Sequence, residues 1–539
     1  MSASEICKVL ARYLWWFAVV LFLPLAVALL YDFVLEEPYF KTTATFAFLQ
    51  TMGVCLIVAS LLNFLGRKAA KRPLLRKEGV LFVVLIWLLT TAIAALPFQF
   101  TGTIPNPIDA YYESMSGLTT TGASIIYPKA YDPATREEIP ITLNNPVDPT
   151  LSYTFYGTVP PLRDPHTGDV LRTGVEALGK PLLFWRSFLQ WLGGIGIVVL
   201  FISVLPALGV GGKFLYESEM PGLTKEGMVP HIRKTAEAIW KLYVGLTALQ
   251  IIFHIAADPS MSLFDATVLS FSTISTGGFC AYNDGLHAFN NSGVAWIMGL
   301  FMFLAGISFA FYYYCYTRRL KQLKDPEFYT YLFCVFFGCV LLSWTLIYAG
   351  GFSFLEKYAY APFQAISALT TSGFSIVNYD GWPMSTQLLM LFLMFIGGMS
   401  GSAVGGLKII RSIIVVRVIF YKIKSLFIAE PTGVIRVGNK EIPHKTEISV
   451  FAFVCVLVAL VLIGTYLLML NHLDTFTAFG VVSTSITNTG LCFAGIGSQN
   501  NLGYLSNFSK ILSIIWMFLG RLEFFTLLVL LLPSFWKRR

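Results

Sequence analysis

The stretch Ser116-Gly-Leu-Thr-Thr-Thr-Gly-Ala-Ser124 carries no charge, yet it places three threonines and two glycines between long apolar segments. The pattern recurs. D-A-Y-Y-E-S-M-S-G-L-T-T-T-G-A starts at Asp109 and D-A-T-V-L-S-F-S-T-I-S-T-G-G-F at Asp265. A-P-F-Q-A-I-S-A-L-T-T-S-G-F-S starts at Ala361 and F-T-A-F-G-V-V-S-T-S-I-T-N-T-G-L at Phe476. Each string has roughly ten helix-compatible, half-apolar residues, then Ser/Thr, then a glycine: Gly122, Gly277, Gly373 or Gly490. Asp109 and Asp265 stand where the N-caps of the first two short helices would be.

About ten residues cannot cross a bilayer, which takes about 20. Irregular backbone at membrane depth survives only when buried in protein or lining a watery cavity. The unit is therefore spanning helix, re-entrant helix and loop, spanning helix, repeated around one axis. Each short helix would aim the negative end of its dipole at that axis. The glycines would let carbonyls turn inward. A ring of such carbonyls can replace the hydration shell of a monovalent cation. The opening string thus has the properties of one quarter of a selectivity filter. The candidate cation ligands are Thr120, Thr121 and Gly122; Ser275, Thr276 and Gly277; Thr371, Ser372 and Gly373; and Asn488, Thr489 and Gly490.

Composition agrees. The 539 residues are 56% hydrophobic and 13% charged, against about 25% charged in a soluble domain. Ten spans are expected, at 11–34, 44–65, 78–98, 184–206, 235–257, 293–316, 328–350, 385–420, 447–470 and 508–533. The apolar run from Tyr13 to Leu30 precedes no A-x-A-like cleavage site and reads as a retained helix. Basic residues gather between spans two and three (Arg67, Lys68, Lys71, Arg72, Arg76, Lys77), between six and seven (Arg318, Arg319, Lys321, Lys324) and after eight (Arg417, Lys422, Lys424). An even span count puts these and both termini on one side, the cytoplasmic side by the positive-inside rule. The Pro-, Asp- and Thr-rich region 128–183 then lies outside as a solvated loop, and 207–234 inside as a connector.

The resulting fold class is all-α and integral to the membrane: two N-terminal transmembrane helices and four pseudo-symmetric helix–pore-loop–helix repeats around one ion pore. The divisions are 1–76, 77–211 (repeat 1 with the long outer loop), 212–326 (repeat 2), 327–436 (repeat 3) and 437–539 (repeat 4). Enzyme chemistry has no support. The six histidines are dispersed, and H-E-x-x-H, G-x-S-x-G and phosphate-loop motifs are absent. The eight cysteines stand singly, in no zinc or disulfide spacing. A charge of +8 in such a chain marks cytoplasmic loops and implies no nucleic acid.

With the four filter strings, R-S-F-L-Q-W-L-G-G-I-G from Arg186, F-L-A-G-I-S-F from Phe303, I-G-G-M-S-G-S-A-V-G-G-L-K from Ile396 and F-L-G-R-L-E from Phe518 complete a set. Over nearly its whole length the chain resembles the Trk/Ktr/HKT superfamily of potassium transporters, most closely the bacterial TrkH type. The resemblance implies a K⁺ uptake protein of the bacterial inner membrane, a homodimer with one pore per subunit. It implies no cofactor in this chain and a cytosolic TrkA-type regulatory partner that binds a nucleotide (ATP/ADP or NAD(H)). Coupling as a symport with H⁺ or Na⁺ stays open. In related plant transporters, serine at the first filter glycine accompanies Na⁺ preference, so Gly122 favours K⁺. Two departures are Ser308, where the family commonly has Asn, and the length of 128–183. The K⁺-binding subunit of an ATP-driven pump shares the four-repeat plan; the two extra N-terminal spans and the F-L-G-R-L-E ending favour the Trk type.

The eighth span carries Gly397, Gly398, Gly401, Gly405 and Gly406 around Ser400 and Ser402. Each glycine costs a helix about 0.8–1.0 kcal/mol relative to Ala, which predicts a broken helix. The resemblance makes Gly397–Lys408 an intramembrane gate and sets Arg521 below the filter as an electrostatic barrier. Glu113, inside the first short helix, needs a partner; Arg521 and Lys408 are the candidates, and Glu523 is a second possible partner for Arg521.

Overall fold

The computed structural model describes residues 3–35, 43–69, 76–132, 135–144, 150–164, 166–196, 232–289, 291–318, 324–427, 435–438, 440–493 and 501–537. Helices α1 (Ala3–Val20) and α2 (Phe22–Leu29) run on through a π-turn at Leu30–Val34 and pack along α3 (Thr43–Leu65). Helix α4 (Arg76–Phe100) leads to α5 (Pro107–Leu118), which runs into the opening string, and α6 (Lys180–Ile195) follows. The same sequence of long, short and further helix returns three times. It runs through α7 (Ile232–Ala257), α8 (Leu263–Ile274), α9 (Ser292–Ala305) and α10 (Phe309–Tyr316); then α11 (Pro326–Ala349), α12 (Ala361–Leu369), α13 (Met384–Ile396) and α14 (Ile409–Ser425). The last pass is α15 (His444–Met469), α16 (Thr475–Thr487), α17 (Asn507–Arg521) and α18 (Phe525–Leu531), closed by a single turn, α19 (Pro533–Trp536).

The described residues are helical apart from small hairpins and connecting loops. Among the described residues, six helices are long and apolar enough to cross a membrane, or up to eight if two bent pairs each count as one span. The fourth expected span is helical through Ile195; its remainder, with the connector 207–234, lies largely outside the described residues. Helix α11 leaves Phe333, Phe336, Trp344 and Tyr348 exposed, as a helix against hydrocarbon does.

The eighth span is broken, and breaks also occur where the sequence predicts continuity. Helices α9 and α10 meet at 87°, and α17 and α18 at 117°. Helix α6 ends at Gly196, with φ 84°. The interruptions fall in the strings L-G-G-I-G, L-A-G-I-S, I-G-G-M-S and L-G-R-L-E. Their glycines let the short helices come close. A Cβ on Gly193 would strike the Leu118 carbonyl oxygen, and one on Gly520 that of Ile486.

Region 128–183 is folded. Strands β1 (Ala130–Tyr131) and β2 (Glu138–Ile139), β3 (Ile141–Asn144) and β4 (Ser152–Phe155), and β5 (Leu162–Arg163) and β6 (Val170–Arg172) make three antiparallel pairs. They sit on the chain just beyond the opening string. Thr158 Oγ1 donates to the Ile125 carbonyl at 2.7 Å and accepts from Tyr127 N–H at 2.8 Å. Tyr153 Oη donates to Asp474 Oδ1 at 2.8 Å, and Tyr153 and Phe155 pack on Tyr504. The expectation of a solvated loop missed this because its anchors are distant in sequence. A last hairpin, β7 (Arg436–Val437) with β8 (Lys440–Glu441), precedes α15.

A candidate ion-conduction site

The four short helices end alike. Thr120 (φ 55°), Thr276 (φ 54°), Thr371 (φ 48°) and Asn488 (φ 54°) all adopt left-handed backbone. The next N–H reaches back five residues: Thr121 to Ser116, Gly277 to Ser272, Ser372 to Ser367 and Thr489 to Thr484, at 2.7–3.1 Å. This is the Schellman helix ending, whose left-handed position usually holds glycine. Left-handed β-branched threonine is a conformational outlier, and holding it three times implies that packing overrides local preference.

Two residues beyond each left-handed residue stands a positive-φ glycine: Gly122 (79°), Gly278 (84°), Gly373 (75°) and Gly490 (81°). The second repeat corrects the sequence register. The counterpart of Gly122 is Gly278; Gly277 is the counterpart of Thr121, so Ser275-Thr276-Gly277 stands one residue early. Matching the strings on T-x-G gives Gly278 directly. Gly277 is small for another reason. Gln190 Nε2 donates to its carbonyl at 2.6 Å, Gln190 Oε1 accepts from Phe279 N–H at 3.2 Å, and the amide lies where a Cβ on residue 277 would go. In the other repeats hydroxyl pairs occupy this level: Thr119 with Thr121 at 2.8 Å, Thr370 with Ser372 at 2.9 Å, and Thr487 with Thr489 at 2.8 Å.

The four loops close on one another in chain order. A Cβ on Gly122 would collide with the Gly277 carbonyl oxygen, on Gly278 with that of Ser372, on Gly373 with that of Thr489, and on Gly490 with that of Thr121. The contact returns to its start, so the loops form a ring. Its residues from Thr119 to Gly122, and their counterparts, are buried.

The helices around the ring are not capped as expected. Asn106 caps α5, accepting from Ile108 N–H at 2.9 Å, and Ser262 caps α8, accepting from Asp265 N–H at 3.0 Å. Asp109 instead pairs with Lys510 at 2.7 Å, both side chains 6% exposed. Asp265 accepts from the Ser262 hydroxyl at 2.6 Å. Asp474, which was not singled out, caps α16 by accepting from Thr477 N–H at 3.0 Å. Glu113 pairs with neither of its expected partners: Arg186 holds it, with Nη2 at 2.7 Å and Nε at 2.8 Å.

On the hairpin side the ring opens into a cavity of about 530 Å³ lined by Gly122, Gly278, Phe374 and Asn501. On the opposite side the segment Gly397–Lys408 is drawn against it. Gly405 N–H donates to Thr371 Oγ1 at 2.9 Å, and a Cβ there would strike the Thr487 carbonyl oxygen. Met399 N–H donates to the Gly306 carbonyl at 3.0 Å, and Ser400 N–H to Glu327 Oε1 at 2.5 Å. Gly397, Gly401 and Gly406 have φ of 72°, 80° and 76°, as such a tight course requires. Gly398 is crowded by Val404. Only about 40 Å³ remains between segment and ring, lined by Ser402, Gly405, Asn488 and Arg521.

Arg521 crosses that space. It donates to Thr120 Oγ1 at 3.3 Å, to the Ala403 carbonyl at 3.1 Å, and to the carbonyls of Gly193 and Gly194. Glu523 is bound elsewhere, to Arg411 at 2.5 Å and Lys408 at 3.6 Å. Of the residues proposed from sequence, the structure thus brings together the four loop sets, the 397–408 segment and Arg521. Gly278, Gln190 and Arg186 were missed as individual residues.

A family model described as "Cation transport protein", TrkH, matches residues 164–538. The chain belongs to the TrkH family. It is accordingly a multi-pass membrane transport protein and not an enzyme. It is 31% identical over 554 residues to the "Trk system potassium uptake protein TrkH" of Vibrio parahaemolyticus, covering 100% of both chains. It is 32% identical over 504 residues to the protein of that name in Escherichia coli K12, covering 91% of this chain and 92% of that one. The crystal structure of the potassium transporter TrkH from Vibrio parahaemolyticus superimposes with a TM-score of 0.77 at 28% identity, covering 100% of each chain.

Proposed function

We propose that this TrkH-family chain takes up K⁺ across a bacterial cytoplasmic membrane, through a pore on the axis of the ring. The single observation that carries this reading is the cyclic contact of Gly122, Gly278, Gly373 and Gly490 with the carbonyls of Gly277, Ser372, Thr489 and Thr121. Four helix C-termini meet there, and their dipoles favour a cation. Backbone and hydroxyl oxygens at that level can take the place of water around K⁺. The names of the Vibrio and Escherichia relatives support K⁺ as the ion.

K⁺ enters the wide cavity on the hairpin side, sheds water at the ring, and passes when the 397–408 segment withdraws. Arg521 sets a positive charge in the space between, raising the barrier until the segment moves. The hairpin side is outside, and both termini are cytoplasmic, by the distribution of lysine and arginine. The segment is controlled by a cytosolic nucleotide-binding subunit of the TrkA type, and the chain works as a homodimer.

The test is cation flux into liposomes under an imposed membrane potential, comparing K⁺, Rb⁺, Na⁺ and Li⁺. K⁺ and Rb⁺ flux well above Na⁺ is expected. Equal Na⁺ flux overturns the selectivity reading.

A further inference from the structure

We propose that Glu113 and Arg186 are positioning residues for ion selection: their ion pair clamps the first ring loop to the second and fixes the aperture between them. The inference rests on the proposed filter.

Nine residues before the ring glycine, and two after it, lie the positions that brace each loop from behind. In the first repeat these are Glu113 and Ser124, and in the third Gln364 and Ser375. They meet in the same way. Ser124 Oγ lies 3.1 Å from both Glu113 oxygens, and Gln364 Nε2 donates to Ser375 Oγ at 3.2 Å. In the second and fourth repeats the same positions hold Leu269 with Cys280 and Val481 with Cys492, which lack such a polar brace. Those two loops are instead held by their neighbours. Arg186 Nη1 donates to the Cys280 carbonyl at 3.1 Å, and Tyr379 Oη to the Cys492 carbonyl at 2.7 Å. Arg186 thus ties the second loop to the first and Tyr379 the fourth to the third, while Asn488 Nδ2 joins the fourth to the first by donating to Thr121 Oγ1 at 2.9 Å.

The first tie carries charge. Arg186 and Glu113 are 2% and 1% exposed. Glu113 Oε2 also accepts from Ile125 N–H at 3.1 Å, and the guanidinium lies over the Phe279 ring at 4.1 Å from its centroid. The one guanidinium of Arg186 therefore reaches the second residue after each ring glycine, donating to Ser124 Oγ at 3.4 Å and to the Cys280 carbonyl at 3.1 Å. A planar fork of this kind fixes geometry as a lysine ammonium cannot. Glu113→Gln would give the first loop the neutral brace that the third already has, and would remove the charge that holds the fork. Arg186→Lys would keep the charge and lose the fork.

The experiment is the K⁺/Na⁺ and Rb⁺/Na⁺ flux ratio of the full chain in liposomes, with and without each substitution. Misplacement by a fraction of an ångström at a binding ring predicts a fall in both ratios of about tenfold or more for each variant. The control is the double replacement Asp109→Leu with Lys510→Met, which removes another buried ion pair, at the opposite end of α5 from the ring; it leaves the ratios unchanged. Should Glu113→Gln not assemble, Ser124→Ala tests the same brace. Wild-type ratios in folded Glu113→Gln and Arg186→Lys overturn the proposal while leaving the filter intact. Arg186→Lys retaining full selectivity alone shows that charge compensation suffices, and overturns the fork. A wild-type chain without selectivity overturns the filter reading, and this inference with it.

Discussion

The Gly405 N–H donates to Thr371 Oγ1 at 2.9 Å, so the 397–408 segment is bonded directly to a ring residue. The contact requires glycine, because a Cβ at 405 would drive into the Thr487 carbonyl. Gly405→Ala therefore prevents the segment from seating. Cation flux into liposomes without any partner subunit is expected to rise severalfold. Unchanged or lower flux would mean that the segment does not occlude the path.

Arg521 is held by at least three carbonyl oxygens and one hydroxyl, all around the space of about 40 Å³ below the ring. Arg521→Gln removes its charge while keeping a donor. A unit charge in that confined space opposes a cation by several kcal/mol at an effective dielectric near 20. Flux of the variant should rise by about tenfold or more, with K⁺/Na⁺ selection retained because the cyclic contacts of Gly122, Gly278, Gly373 and Gly490 do not involve Arg521. A fall in flux would make Arg521 a structural tie only.

The architecture was legible in the sequence because it rests on repetition and apolar length, which are both linear properties. The T-x-G ends of the short helices, the glycine-broken eighth span and Arg521 were found that way. Glu113 was known to need a partner, but Arg186 lies 73 residues away and only the packing of α5 on α6 selects it. Gly277 was taken for the ring glycine because a sequence shows a small residue without showing why it is small; the reason is Gln190, on another helix. The hairpins of 128–183 escaped notice for a like cause. Their anchors, Asp474 and Tyr504, lie in the fourth repeat.

Gln190 and Gly277 give the sharpest check of the ring register. Ser372 holds the counterpart position in the third repeat without difficulty, so Gly277→Ser would look harmless by repeat symmetry. The Gln190 amide fills that space here, and overpacking costs about 1–3 kcal/mol. Gly277→Ser alone should lower thermal stability and K⁺/Na⁺ selection together. Adding Gln190→Ala should recover part of both. No effect of the single substitution would show that Gln190 does not occupy the site.

Lys510 and Asp109 test how the first short helix is held. Their ion pair, at 2.7 Å with each side chain 6% exposed, joins α17 to the first turn of α5. Taking away one partner leaves the other charged and buried, which costs about 3–5 kcal/mol. Replacing both with apolar side chains of similar size removes the desolvation penalty along with the attraction, and is often neutral. Lys510→Met should therefore lower the midpoint of thermal unfolding in detergent by several degrees, whereas Lys510→Met with Asp109→Leu should restore most of it. Asn106 still caps the helix in all three proteins, so any loss is assigned to the pair and not to the helix start. If the double variant is as unstable as the single one, the pair contributes geometry that hydrophobic packing cannot replace, and α5 depends on Lys510 for its position.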